Sequence, residues 1–279
     1  MVSNLTAAFC AVTLVISLVL PVAALIFFAR KHRRQGIVSG WLLGAAGFFV
    51  TQILIRVPIL TALQGTAGFA AFARDHLFAY AFCLAFTAGL FELAGRFAVA
   101  KWMRRKNLTL RRSLAAGMGH GGIEAMLLVG ITYINNLAYI AMINSGTFDA
   151  TLAQAIAAGI DVSQLELIRQ QLLTASPVLF LLGGFERLLA MVCHTAMSLL
   201  VCYGIAHGKS RSCALICLGI HTLLDLTAGI SMLAGTALSQ TAAYCIIYTI
   251  LTAAAAVSAY LICALCRRWR KESHHAEEL

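Results

Sequence analysis

The chain has 279 residues, 61% of them hydrophobic and 11% charged, and its mean hydropathy is +0.86. No soluble domain of this length carries so apolar a composition, so the sequence reads as a polytopic membrane protein. The formal net charge of +10 follows from topology beside an anionic inner leaflet, which removes nucleic acid from the expected partners.

Apolar runs long enough to cross about 30 Å of hydrocarbon recur seven times. They cover residues 5–29, 38–63, 76–100, 114–142, 177–206, 212–233 and 241–266, which predicts an all-α, polytopic membrane helical bundle in a single integral domain. The first run lacks the basic flank of a secretory signal and is too long for its apolar core, so it is expected to stay as a span. Residues 144–176 form the one sizeable loop. Within it, Ser163 to Glu166 have the S-x-x-E spacing of a capping box, which predicts a short interfacial helix to about Thr174. Pro177 then opens the fifth span, a position that suits proline at a helix start.

The basic residues orient this drawing. Arg30, Lys31, Arg33 and Arg34 follow the first span, and Lys101, Arg104, Arg105, Lys106, Arg111 and Arg112 the third. Lys209 and Arg211 follow the fifth, and Arg267, Arg268, Arg270 and Lys271 the seventh. The opposite loops hold only Arg74 and Arg169. By the positive-inside rule the N-terminus is expected outside and the C-terminus in the cytoplasm, across a bacterial plasma membrane. Most of the nine cysteines fall inside spans as small packing residues, and Cys263-x-x-Cys266 stands alone without a second pair.

Ten ionisable residues remain inside the spans: Arg56, Glu92, Arg96, His120, Glu124, Glu186, Arg187, His194, His221 and Asp225. A charged side chain at a helix centre costs at least about 2.5–3.5 kcal/mol on insertion scales, so such residues face the bundle interior and mark function. Glu92 and Arg96, His120 and Glu124, and His221 and Asp225 are i,i+4 pairs, which stack on one helix face. At 1.5 Å per residue from the predicted cytoplasmic end of each span, His120, Glu92, His221 and Glu124 lie about 9, 12, 14 and 15 Å deep. His194 and Asp225 lie about 18 and 20 Å deep. One cluster can therefore hold them all. Arg56 falls nearer the outer half of the second span, where a structural ion pair is expected.

Three histidines with carboxylates at one depth are the raw material of a Zn²⁺ site, with an open position for water. A lone histidine in a membrane helix more often joins helices by a hydrogen bond; three at a shared depth with flanking acids favour a site. FELAGR (91–96), GMGHGGIEA (117–125), GGFERLLAMVCHTAMS (183–198) and HTLLD (221–225), together with FVTQILIRVPIL (49–60), resemble the YhfC family of intramembrane metalloproteases. That family is similar to the wider CAAX-protease, bacteriocin-processing and PrsW-like group and to the anterior-pharynx-defective subunit of γ-secretase. The wider resemblance implies motif roles for Glu92 with Arg96, for His120, and for His221 with Asp225. Phe91 stands where the wider group has a second glutamate, and Ala116 where it has a phenylalanine four residues before the histidine.

The leading reading is an intramembrane zinc endopeptidase acting on a membrane-embedded or membrane-proximal peptide. In it His120, His194 and His221 bind the metal or its water, and Glu124 or Glu92 is the general base. Arg96 holds the scissile carbonyl or the cluster, and Asp225, Glu186 and Arg187 support the ligands. The alternative is a non-catalytic scaffold or immunity-type protein that uses the same cluster to hold helices together. An ion-coupled transporter ranks last, since the sequence has no paired broken helices or inverted repeat. The expected partners are membrane lipid and a membrane protein or peptide substrate.

Overall fold

The computed structural model describes the backbone of residues 1–231 and 238–277 and the side chains of 1–231 and 238–272. Among these residues the chain is helical, with no strand. Its helices are α1 (Asn4–Lys31), α2 (Ile37–Gln64), α3 (Ala67–Asp75), α4 (Leu77–Lys106), α5 (Leu110–Ser145), α6 (Phe148–Ala157), α7 (Ser163–Thr174), α8 (Pro177–Ala206), α9 (Ser210–Ser231) and α10 (Gln240–Glu277). Seven of them, α1, α2, α4, α5, α8, α9 and α10, are long and apolar enough to cross a membrane. The expected end of the sixth span, at residues 232–233, lies outside the described residues.

Three long helices contain a wide π-helical turn: Val15–Val19 in α1, Phe49–Arg56 in α2 and Ala125–Gly130 in α5. The first two precede Pro21 and Pro58. Proline has no N–H to give the carbonyl four residues earlier, and its ring presses on that carbonyl, so the helix widens just upstream instead of breaking. The loop between α5 and α8 holds two helices where one was expected. Ser163 is the first residue of α7 rather than its cap, because Asp161 Oδ1 accepts the Ser163 N–H at 2.9 Å and Val162 occupies the cap position. Hydrogen bonds from the Ser163 backbone and side chain hold the exposed Asp161 carboxyl below its ordinary pKa.

The chain forms two compact units, and the division falls within α1, α5 and α8. The first comprises Met1–Ala23 and Ala125–Leu188. Its apolar core gathers Val2, Cys10, Tyr133, Ile140 and Leu172. The carbonyl of Phe180 accepts from both Thr13 Oγ1, at 2.7 Å, and Tyr133 OH, at 2.8 Å, and Asn144 Oδ1 accepts the Val2 N–H at 2.7 Å. Arg169 pairs with Asp149 at 2.8 Å and joins α7 to α6.

The second unit comprises Ala24–Glu124 and Leu189–Leu279. Cys193–Ile205 of α8 is buried on nearly every side, which makes that stretch the axis of this unit. Around it, glycines let backbones touch. A Cβ on Gly44 of α2 would lie 1.8 Å from the Ala116 carbonyl oxygen, and one on Gly119 of α5 would lie 2.0 Å from the Trp41 oxygen. Gly117 and Gly121 likewise bring α5 against the backbone of Thr195 and Met191 on α8. Lipid tails are as apolar as leucine, so helices in a membrane associate through such close packing and through polar contacts rather than hydrophobic burial.

Gly44→Ala or Gly119→Ala must push α2 and α5 apart, and a loss of about 3 kcal/mol or more is expected. Gly219→Ala, in open space, should be neutral. Unfolding of detergent-purified variants by SDS titration checks this ranking, which an equal effect of the three substitutions would contradict.

Candidate metal centre

Five helices of the second unit converge on one carboxylate. Glu92, on α4, is buried, and its Oε2 lies 2.9 Å from Arg96 Nη2, 2.9 Å from His120 Nε2, 2.7 Å from His221 Nε2 and 3.5 Å from His194 Nδ1. Its other oxygen accepts from Gln52 Nε2 of α2 at 2.9 Å. The i,i+4 spacing that put Glu92 and Arg96 on one face makes them an ion pair, with side chains 5% and 1% exposed. Such a pair survives burial only if both members find further partners, and both do. Arg96 Nη2 also meets His194 Nδ1 at 2.6 Å, and its Nε donates to Ser198 Oγ at 3.3 Å.

The remaining groups extend from this hub. His194 Nε2 lies 2.7 Å from Glu124 Oε2, so the imidazole bridges α4 and α5 from its place on α8. His221 Nδ1 lies 3.3 Å from Asp225 Oδ2, one turn along α9. The His120 and His194 rings stack at 5.4 Å between centroids, and those of His194 and His221 meet edge-on at 5.5 Å. The Phe48 and His120 rings meet edge to face with their centroids 5.3 Å apart. A cavity of about 10 Å³ is lined by Gly44, Arg96, Val99, Ala116, His120, Ser198 and Cys202, the room that one water needs. Among the described residues, Nη1 of Arg96, one of the lining residues, has no hydrogen-bond partner.

Glu92, His120, Glu124 and His194 are all buried, and one donor atom from each lies within 4.8 Å of the others. Two imidazoles and two carboxylates form a donor set that a first-row divalent ion, zinc among them, accepts. His221 reaches this quartet through Glu92 rather than as one of the four. Six of the residues singled out in the sequence, Glu92, Arg96, His120, Glu124, His194 and His221, thus meet, with Asp225 beside His221. Glu186 and Arg187 belong to the first unit, where they pair with each other.

Two residues of the cluster carry no charge and are not expected from the ionisable residues alone, namely Gln52 and Ser198. Each stands four residues from an ionisable one, Gln52 before Arg56 and Ser198 after His194, and a search for neutral polar residues on those faces would have found them. The structural ion pair expected at Arg56 is replaced by neutral partners. Its Nη2 donates to the Leu84 carbonyl at 2.7 Å and its Nη1 to Gln52 Oε1 at 3.3 Å, and Thr87 Oγ1 lies 3.4 Å away.

The family model described as YhfC intramembrane metalloprotease matches residues 16–248. The chain is similar to a Bacillus subtilis (strain 168) protein described as "Uncharacterized membrane protein YhfC". The two are 33% identical over 214 residues, which cover 75% of this chain and 79% of that relative. No solved structure matches.

Glu92→Ala strands the Arg96 guanidinium without its counter-charge, and a loss of about 3–5 kcal/mol is expected. The double variant Glu92→Ala/Arg96→Met should be less destabilised than the single one. SDS-titration unfolding of the two proteins measures the difference, and additive losses would contradict the coupling.

Proposed function

The chain belongs to the YhfC intramembrane metalloprotease family, and on that premise we propose that it is a zinc-dependent endopeptidase. Its substrate is a membrane-embedded or membrane-proximal peptide. The observation that carries this reading is the buried quartet Glu92, His120, Glu124 and His194, with donor atoms within 4.8 Å of one another. Glu92, His120 and His194 would hold the ion, which leaves a coordination position open as catalysis requires. A zinc ion bound there supplies a Lewis acid and a water that loses its proton near neutral pH.

The chain's own residues divide the remaining work. Glu92 is committed to holding, since its oxygens accept from Gln52 Nε2 and Arg96 Nη2 and lie within 2.9 Å of His120 Nε2 and His221 Nε2. Glu124 is the more accessible acid, with its side chain 11% exposed against 5% for Glu92. Its Oε2 is the atom that takes and returns the proton, and His194 Nε2 at 2.7 Å sets its direction. His221, braced by Asp225, and Gln52 orient Glu92 from its two oxygens. Arg96 Nη1 is the donor for the scissile carbonyl oxygen, because Arg96 lines a cavity and its Nη1 has no acceptor among the described residues. A helical substrate must unwind locally first, since its own hydrogen bonds occupy that carbonyl. The concentration of basic residues after the first, third, fifth and seventh spans supports a cytoplasmic C-terminus.

One observation favours a second reading, a non-catalytic scaffold. The network around Glu92 closes through contacts of 2.7–2.9 Å with Gln52, Arg96, His120 and His221, so it can join helices by itself.

Elemental mass spectrometry of detergent-purified protein separates the two. About one zinc per chain is expected in the wild type, none in His120→Ala/His194→Ala, and an unchanged content in Glu124→Gln. With a cleavable substrate, Glu124→Gln should lose about 10²–10⁴-fold in rate, the usual range for a general base. A wild type that takes up no metal after zinc loading would move the assignment to the scaffold.

A further inference from the structure

Arg56 is a cation in a membrane-spanning helix with no acidic partner at ion-pair distance among the described residues. Every hydrogen bond it makes goes to a neutral acceptor, namely the Leu84 carbonyl, Gln52 Oε1 and Thr87 Oγ1. Glu92 and Asp225 attract it through space, yet among the described residues no carboxylate lies within ion-pair distance. The contact to Leu84 O, at 2.7 Å, is short; those to Gln52 and Thr87, at 3.3–3.4 Å, are long. A guanidinium offers five N–H donors in a fork that matches a carboxylate. Here most of that capacity is weakly engaged.

Placement and access point the same way. Arg56 ends the π-helical stretch Phe49–Arg56, and such wide turns recur at functional positions because they re-aim side chains. The side chain is partly exposed, whereas Gln52, on the same stretch, is buried. Two hydrogen bonds connect them to the candidate metal centre: Arg56 Nη1 to Gln52 Oε1 at 3.3 Å, and Gln52 Nε2 to Glu92 Oε1 at 2.9 Å. An arginine in hydrocarbon that lacks an internal counter-ion is costly to keep. An anion arriving with a ligand removes that cost.

The geometry points to Arg56 as a substrate-binding residue that receives a carboxylate of the peptide, either the C-terminal carboxylate or an aspartate or glutamate side chain near the cleavage point. This inference rests on the peptidase reading and names its substrate class: peptides that present a carboxylate a short distance from the bond placed at the Glu92 cluster. Gln52 acts as the positioning residue, since it holds Arg56 with its oxygen and Glu92 with its amide nitrogen.

The test measures binding, so that it stands apart from cleavage. Matched pools of synthetic hydrophobic peptides are offered to the immobilised full chain in detergent: free acids, C-terminal amides, and amides with one aspartate near the end. Wild type is expected to retain a carboxylate-bearing pool about tenfold more than the plain amides, the worth of one charge-assisted contact. Preference for the free acids or for the aspartate amides identifies the source of the carboxylate. Arg56→Gln should abolish the preference, and Arg56→Lys should restore part of it, which a merely structural arginine would not do. Equal retention of all pools by wild type, or an unchanged preference in a monodisperse Arg56→Gln protein, overturns the inference. A metal-free wild type that still discriminates would keep the carboxylate site and remove the peptidase reading.

Discussion

One carboxylate oxygen, Glu92 Oε2, sets the terms for the second unit. Arg96 from its own helix, His120 from α5 and His221 from α9 all reach it within 2.9 Å, and His194 from α8 within 3.5 Å. Ionised groups in a low-dielectric interior are tolerable only when nearly every lone pair and proton is used. Each helix that contributes a partner is therefore held in rotation as well as position. A slip of one residue turns a helix by about 100° and carries its histidine off the carboxylate.

Close backbone contact makes this convergence possible. Gly44 and Gly119 leave α2 and α5 touching carbonyl to glycine, and Gly117 and Gly121 bring α5 against Thr195 and Met191 of the α8 backbone. With the helices this near, short side chains such as Glu92, His120 and Ser198 can span the gap. The same economy of space explains why Phe48 can seal one side of the His120 ring. Packing and chemistry are thus one arrangement: small residues bring the helices together, and the polar network selects their register.

The prolines add a second layer of control. Pro58 widens α2 over Phe49–Arg56, and on that stretch Gln52 turns inward to Glu92 while Arg56 remains partly exposed. A regular helix would place these i,i+4 residues one above the other. The π-helical turn changes their relative direction, which lets one face the buried carboxylate and the other a more open space. Glu124, on α5 immediately before its own wide turn at Ala125–Gly130, is the less enclosed of the two acids.

Much of this was legible in the sequence. Seven apolar runs gave the spans because crossing hydrocarbon is a matter of local length and composition, and the i,i+4 pairs of Glu92 with Arg96 and His221 with Asp225 needed only the helical repeat. Two of the three π-helical turns had a local signal, in Pro21 and Pro58, while the third and helix α6 had none. The sequence by itself determined that each of several membrane helices carries one polar stripe. Only the tertiary structure decided which stripes meet. It made Glu92 the shared acceptor, brought the neutral Gln52 and Ser198 into the cluster, paired Glu186 with Arg187 in the other unit and gave Arg56 neutral hydrogen-bond partners. The reason is physical: hydropathy and periodicity are properties of one segment, whereas the rotation of a helix about its axis is set by the neighbours that touch it.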